Sequence, residues 1–147
     1  MRDALSEARE LCRRRKLRFT EVRERVLELI WQSHRPLGAY DILGSLAAEG
    51  HSDAPPTVYR ALDFLLNNGL IHRIASLNAY TGCIHQGQPH DSVFLICREC
   101  QSALELDSTM VTDAIVTAAH QQGFSPEKAT LEINGLCPAC HVASTDD

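Results

Sequence analysis

No run in this 147-residue chain approaches the roughly 20 consecutive apolar residues that cross a bilayer as a helix, which argues against a helical membrane protein. The opening Met1-Arg2-Asp3-Ala4-Leu5-Ser6-Glu7 lacks the apolar core of a secretory signal. The chain is therefore expected to stay in the reducing cytoplasm, where thiols remain available to metal. A His-Glu-x-x-His motif is missing, and so is a His-x-Glu paired with Pro-Cys-x-x-Cys, because Pro138 lies inside its Cys-x-x-Cys and not ahead of it. A zinc hydrolase or deaminase thus has no motif to stand on, and no small organic substrate is expected. Positive charge is scarce in one half only: residues 76–147 hold 2 Lys+Arg against 9 Asp+Glu, whereas residues 1–75 hold 12 against 10. The net charge of −5 conceals this division, which places any polyanionic partner on the first half. Arg13-Arg14-Arg15-Lys16 with Arg18 is the densest basic run, though by itself such a run is more often a solvated helix end than a nucleic-acid contact.

Six cysteines are present, and four of them form two Cys-x-x-Cys pairs, Cys97/Cys100 and Cys137/Cys140, separated by 36 residues. Four thiolates complete a closed tetrahedral shell for Zn²⁺, which holds the metal without an open position for chemistry. A redox pair would need one such motif beside a βαβ pattern, not two matched knuckles. The intervening segment has room for a strand, a helix and a returning strand, so a metal here would staple a small domain.

Helical periodicity fills the first half. Ala4, Leu5, Ala8, Leu11 and Cys12 make one apolar stripe, with Cys12 read as core. Val22, Val26, Leu29 and Ile30 make a second behind Thr20 as N-cap, and Ile42, Leu43, Leu46 and Ala47 a third closed by Gly50. Val58, Ala61, Leu62, Leu65 and Leu66 make a fourth, with Pro55-Pro56 ahead of it and Gly69 beyond. Two short strands, about residues 70–75 and 79–83, follow, which is the order of a winged helix with the fourth stripe as recognition helix. Its outward residues in the first turn are Thr57, Tyr59 and Arg60, where such a helix meets base edges and phosphates. The expected winged-helix domain spans residues 1–83.

Residues 84–92, polar and containing Gly87 and Pro89, read as a hinge. Beyond it the period shortens: Val93–Ile96 and Ser102–Asp107 read as strands around the first knuckle, and Ala129–Ile133 as a strand leading to the second. Ser108 is placed to cap a helix with the stripe Met110, Val111, Ala114, Ile115, Ala118 and Ala119. Residues 93–147 therefore read as a small α/β module, and the whole chain as α+β. The module can hardly bury that stripe alone, so self-association is expected.

A second candidate metal site straddles the hinge. A hairpin loop centred on Leu77-Asn78 would set His72 directly opposite Cys83, within gripping distance of one ion. His90 follows in the hinge and Glu105 lies on the strand after the first knuckle. One thiolate, two imidazoles and a carboxylate suit tetrahedral zinc better than a six-oxygen metal. His85, Asp91 and His141 adjoin these ligands or the knuckles and could supplement them.

The run Ala54-Pro55-Pro56-Thr57-Val58-Tyr59-Arg60-Ala61-Leu62-Asp63-Phe64-Leu65, the paired knuckles, and His72, Cys83, His90 and Glu105 together resemble the ferric uptake regulator family, specifically its zinc uptake regulator branch. Iron-sensing members carry a His-His-rich stretch before the first knuckle, where this chain has only Pro89-His90-Asp91. The resemblance implies a homodimeric repressor of zinc uptake genes with an N-terminal winged helix and a C-terminal dimerisation domain. It implies two zinc ions per chain, a structural one on Cys97, Cys100, Cys137 and Cys140 and a regulatory one on His72, Cys83, His90 and Glu105. It also implies that Tyr40 joins Arg60 in contacting double-stranded operator DNA. An iron or peroxide sensor on the same fold is the alternative.

Overall fold

The computed structural model describes residues 2–51 and 54–145. In chain order the elements are α1 (Arg2–Arg14), α2 (Glu21–Gln32), α3 (Ala39–Ala48), α4 (Pro55–Asn67), β1 (Ile71–Ile74), β2 (Ala79–Gly82), β3 (Ser92–Cys97), β4 (Ala103–Glu105), α5 (Thr109–Gln121), β5 (Thr130–Gly135) and α6 (Pro138–Thr145). Residues 1–88 and 89–147 form separate compact units. The division falls inside the segment whose composition reads as a hinge. None of the described helices is long and apolar enough to cross a membrane.

In the first unit the helical stripes become the core. Leu5, Ala8, Leu11 and Cys12 of α1 pack with Val26, Leu27 and Ile30 of α2, Ile42 and Leu46 of α3, and Val58, Ala61, Leu62 and Leu65 of α4. Cys12 is fully buried there, and burial pushes its thiol up from the ordinary value. Thr20 caps α2 as expected, its hydroxyl accepting from the Arg23 N–H at 3.3 Å. Helix α4 starts on Pro55-Pro56, whose missing N–H groups cost nothing in a first turn. It ends in a double bond pattern, Leu70 N–H to Leu65 C=O at 2.9 Å and Gly69 N–H to Leu66 C=O at 3.1 Å, with Gly69 at φ +70. This left-handed turn closes the helix and aims the chain into β1.

The β1–β2 hairpin departs from the expected register. Ile71 pairs with Gly82 and His72 with Thr81, so the loop is residues 75–78, centred on Ser76-Leu77. The centre moves because Asn78 takes a left-handed φ of +47 at the last loop position, beside Ala79 at the start of β2. Cys83 then lies opposite Leu70, its N–H donating to the Leu70 carbonyl at 3.1 Å. His72 and Cys83 are diagonal neighbours, not a directly opposed pair. Both remain on one face, because the shift is two residues and the strand period is two. Leu37 adds a bridge on the other side of the hairpin, exchanging backbone bonds with Tyr80 at 3.0 and 2.8 Å.

The second unit is a three-stranded mixed sheet ordered β4-β3-β5, with β3 antiparallel to β4 and parallel to β5. Parallel neighbours need a crossover, and β4 with α5 supplies it. Val93, Phe94 and Ile96 of β3 are buried, whereas no residue of α5 is, and Met110 is 80% exposed. Ser108 sits at the α5 N-cap with extended backbone, but its hydroxyl makes no capping bond there, contrary to expectation. Helix α6, which the sequence reading left unassigned, begins inside the second knuckle.

Gly82 is where β2 meets α2. A Cβ at this position would lie 2.2 Å from Cε2 of Trp31, within the indole ring. Gly82→Ala is expected to lower stability by about 2 kcal/mol or more, because a packed indole cannot yield as a flexible chain end would. Denaturant unfolding followed by the fluorescence of Trp31, the only tryptophan, checks this.

Candidate metal and DNA-binding sites

The parallel register of β3 and β5 brings the two knuckles together. It matches Cys97 with Gly135, so both strands deliver their C-terminal ends to one edge of the sheet. The Arg98 N–H donates to the Gly135 carbonyl at 2.9 Å, extending the ladder into the first knuckle. That knuckle is a tight turn, with Gln101 at φ +61, the Gln101 N–H on the Cys97 carbonyl and the Cys97 N–H on the Ser102 carbonyl, each at 2.9 Å. The second knuckle instead opens α6, where the His141 N–H donates to the Cys137 carbonyl at 2.8 Å.

All four sulfurs lie within 4.8 Å of one another, with Cys100 Sγ and Cys137 Sγ 3.8 Å apart. A tetrahedron with Zn–S bonds of about 2.3 Å has sulfur–sulfur edges of about 3.8 Å, so the cluster fits that ion in both donor type and spacing. Its electrostatics agree. Backbone N–H groups of Cys100 and Cys137 aimed at Cys97 pull its thiol down to about 6, and the Ser102 hydroxyl beside Cys100 lowers that thiol too. Bonding to Cys137 and Cys97 pushes Cys140 up to about 12. The opposed shifts of Cys97 and Cys140 reflect sulfurs crowded close enough to share hydrogen bonds.

The remaining expected ligands form two pairs, one in each unit. In the first, the ligand atoms of His72 and Cys83 lie within 4.8 Å of each other, and Cys83 is buried. In the second, His90 Nε2 lies 2.8 Å from Glu105 Oε1, with the Glu105 side chain almost wholly covered. Glu105 owes its place to its pairing with Phe94 in the β3–β4 ladder. Asp91, a possible supplementary ligand, has one carboxylate oxygen accepting from the Ala129 N–H at 2.9 Å, which ties it to the start of β5.

On the first unit, α3 and α4 present the expected DNA-facing residues. Val58 and Ala61 point into the core, leaving Thr57 half-buried on the first turn of α4 and, on its second turn rather than the expected first, Tyr59 46% exposed and Arg60 exposed. Tyr40, at the start of α3, is 79% exposed. Tyr40 and Tyr59 line one shallow apolar patch with Ala39, Leu43, Pro55 and Val58. Among the described residues, no carboxylate pairs with Arg60. The basic run of α1 is engaged otherwise. Arg13 forks onto Glu10 at 3.0 and 2.6 Å, Arg14 lies 3.8 Å from the same carboxylate, and Arg15 reaches backbone carbonyls. Sequence reasoning missed Ser102, whose Oγ lies 3.1 Å from Cys100 Sγ. Its position two residues past a Cys-x-x-Cys was the available signal.

Residues 14–134 match the family described as the ferric uptake regulator family. The chain is 38% identical over 139 residues to the zinc uptake regulation protein of Escherichia coli (strain K12), spanning 94% of this chain and 81% of that one. The crystal structure of holo XcZur superposes with a TM-score of 0.84 at 41% identity, over 94% of this chain and 96% of the other. A zinc uptake regulator complexed with zinc and DNA superposes with a TM-score of 0.88 at 37% identity, over 98% and 97%.

Cys97→Ser is expected to abolish metal retention by the thiol cluster and to unfold the second unit, since a structural zinc contributes on the order of 10 kcal/mol of folding free energy. Limited proteolysis with metal analysis reads this out. A Cys97→Ser chain that keeps its metal and its resistance to cleavage within residues 89–145 overturns the assignment.

Proposed function

The chain belongs to the ferric uptake regulator family, and from that premise we propose that it is a zinc-responsive transcriptional repressor that binds operator DNA as a homodimer and controls zinc uptake genes. The observation that carries the zinc reading is the donor chemistry. A four-thiolate cluster has the spacing of a zinc tetrahedron, and a buried thiolate, Cys83, sits beside His72. Soft sulfur favours zinc over harder ions and disfavours the iron alternative.

Two ions per chain follow on this reading. Cys97, Cys100, Cys137 and Cys140 hold the structural one, and His72, Cys83, His90 and Glu105 hold the regulatory one. Bound zinc supplies a cross-link among those last four side chains. Each pair is presented by its own scaffold: the wing carries His72 and Cys83, while the strand β4 and the chain entering β3 carry Glu105 and His90. Filling all four positions selects one orientation from the free ensemble, and the orientation selected is the one that seats two recognition helices on successive half-sites. On this reading each ion has four protein ligands and no open position, so no reaction at either metal is expected. The exposed apolar positions of the second unit, Leu104, Met110, Phe124 and Val142 among them, suit a homodimer interface. A cytoplasmic setting agrees with thiolate ligands.

Tyr40, Thr57, Tyr59 and Arg60 form the DNA-reading surface in this proposal. Arg60→Ala is expected to weaken operator binding while zinc content and helicity stay native. A lost fork on a guanine costs about 1 to 3 kcal/mol and relaxes sequence preference, whereas a lost phosphate contact lowers affinity for all duplexes and flattens the salt dependence. Titrations of specific and unrelated DNA at two salt concentrations separate the two, and unchanged affinity for both removes Arg60 from the interface.

Cys83→Ser replaces a thiolate by a weakly coordinating hydroxyl. The expected variant is a folded dimer with about one zinc per chain in place of two, and it fails to bind operator at free zinc levels that saturate the native protein. His72→Ala should behave alike, and the double variant should add little, because ligands of one site act as a unit. Zinc content and a mobility-shift titration in zinc buffers check this. Retention of two ions and a native zinc threshold sinks the regulatory site and leaves the other assignments standing.

A further inference from the structure

Arg15 differs from Arg13 and Arg14 in that its partners are backbone carbonyls and not a carboxylate. Its guanidinium forks onto two backbone carbonyls, Nη2 donating to Gly87 at 2.7 Å and Nη1 to Asn68 at 3.3 Å. Asn68 is the C-cap of α4, the negative end of the recognition helix, so a cation there is favoured twice, by the hydrogen bond and by the helix dipole. Gly87 lies one residue short of the end of the first unit.

The backbone around this fork is as closely fitted as a core. Gly69 and Gly87 both hold left-handed φ values, +70 and +73. The Gly87 N–H donates to the Gly69 carbonyl at 3.0 Å, and the Gln88 N–H closes a turn on His85 at 3.2 Å. A Cβ at Gly69 would come within 3.3 Å of Gly87 Cα, and a Cβ at Gly87 would come within 2.7 Å of Leu11 Cδ2. Two chain segments far apart in sequence thus touch backbone to backbone, and α1 covers the contact with Leu11 and Arg15. Side chains are excluded from the junction, and the φ values require glycine there.

From this geometry we infer that the Arg15–Gly69–Gly87 junction is a coupling lock, in which Arg15 is a positioning residue that holds the root of the interdomain linker rigidly to the C-terminal end of the recognition helix. Cys83 directly follows β2 on the way into this junction, with its own N–H on Leu70, the residue after Gly69. A constraint applied at Cys83 and beyond Gln88 is passed to α4 only if the segment between them cannot flex. The lock removes that flexibility. The inference rests on the regulatory-zinc reading above, but it assigns to residues that touch neither metal nor DNA the conversion of zinc occupancy into recognition-helix placement.

Coupling is a ratio, which makes the test selective. The measurement is the affinity of the full-length dimer for a duplex selected from a random pool by the native protein. It is taken at saturating buffered zinc and again at low free zinc with the four-cysteine site still filled. In Arg15→Gln and in Gly87→Ala the ratio of the two affinities is expected to fall by roughly fivefold or more, with two zinc ions still bound at saturation and native far-ultraviolet circular dichroism. Arg15→Lys should behave like Arg15→Gln, because a compact ammonium lacks the span of the planar guanidinium whose two separate nitrogens reach the two carbonyls. If Arg15 instead contacts phosphate, or only stabilises the fold, both affinities drop together and the ratio holds, with lysine restoring the phosphate case. A native ratio in either variant overturns the lock. A ratio of one in the native protein overturns the regulatory-zinc reading itself, and the lock with it.

Discussion

The parallel ladder between β3 and β5 is the constraint on which the second half of this protein is built. Parallel strands run their C-terminal ends to the same edge, so whatever follows each strand must meet there. Cys97 closes β3 and Cys137 follows two residues after the end of β5, and the meeting point is the four-sulfur cluster. The ladder also dictates the crossover, which consumes β4 and α5. Because the sheet is only three strands wide, that crossover helix has almost nothing to pack on. Its apolar stripe stays uncovered in the single chain, and the buried core of the unit is little more than β3. A domain this thin has little core of its own to hold it closed.

The first unit solves a different problem, that of holding one helix outward on a rigid base. Four helices share a continuous core, and α4 gives its entire inner face to it. The residues left outside, Tyr59 and Arg60, therefore have fixed directions and freedom to meet a ligand. The helix is terminated abruptly by the left-handed turn at Gly69, and the chain leaves directly into the wing. Trp31 over Gly82 and the Leu37–Tyr80 bridge clamp the wing to α2 and to the loop before α3. One compact unit thus carries both the exposed side chains of α3 and α4 and the His72–Cys83 pair.

Much of this architecture is written in local pattern. The four helical stripes, the Thr20 cap and the proline and glycine bounds of α4 are legible because helix burial repeats along the chain and caps are local chemistry. Where a single residue could act in two ways, pattern is less secure. Ser108 occupies its N-cap position without making the bond, although Thr20 does so. Helix α6 escaped notice because its first turn coincides with a metal knuckle, and eight residues with mixed polarity carry little periodicity. The Leu37–Tyr80 bridge, one residue long on one side, has no sequence period at all.

The four-cysteine cluster was readable at the level of residue types and spacing, because two Cys-x-x-Cys pairs around a strand, helix and returning strand have one short edge on which to meet. Position was another matter. The hairpin register is set by a loop whose left-handed residue, Asn78, stands at the last loop position and not at the centre, so the centre lies one residue earlier than the pattern suggests. His72 and Cys83 kept a common face only because strand side chains alternate with period two. The fate of each arginine in the basic run was likewise undecidable from the sequence, which shows charge but not partners. Tertiary structure assigned Arg13 and Arg14 to a glutamate on their own helix and Arg15 to carbonyls on two other segments. Composition and period determine what each segment can become, because those preferences act over a few residues. Which groups finally face one another is decided by long-range packing, where a shift of two residues or one turn changes every partner.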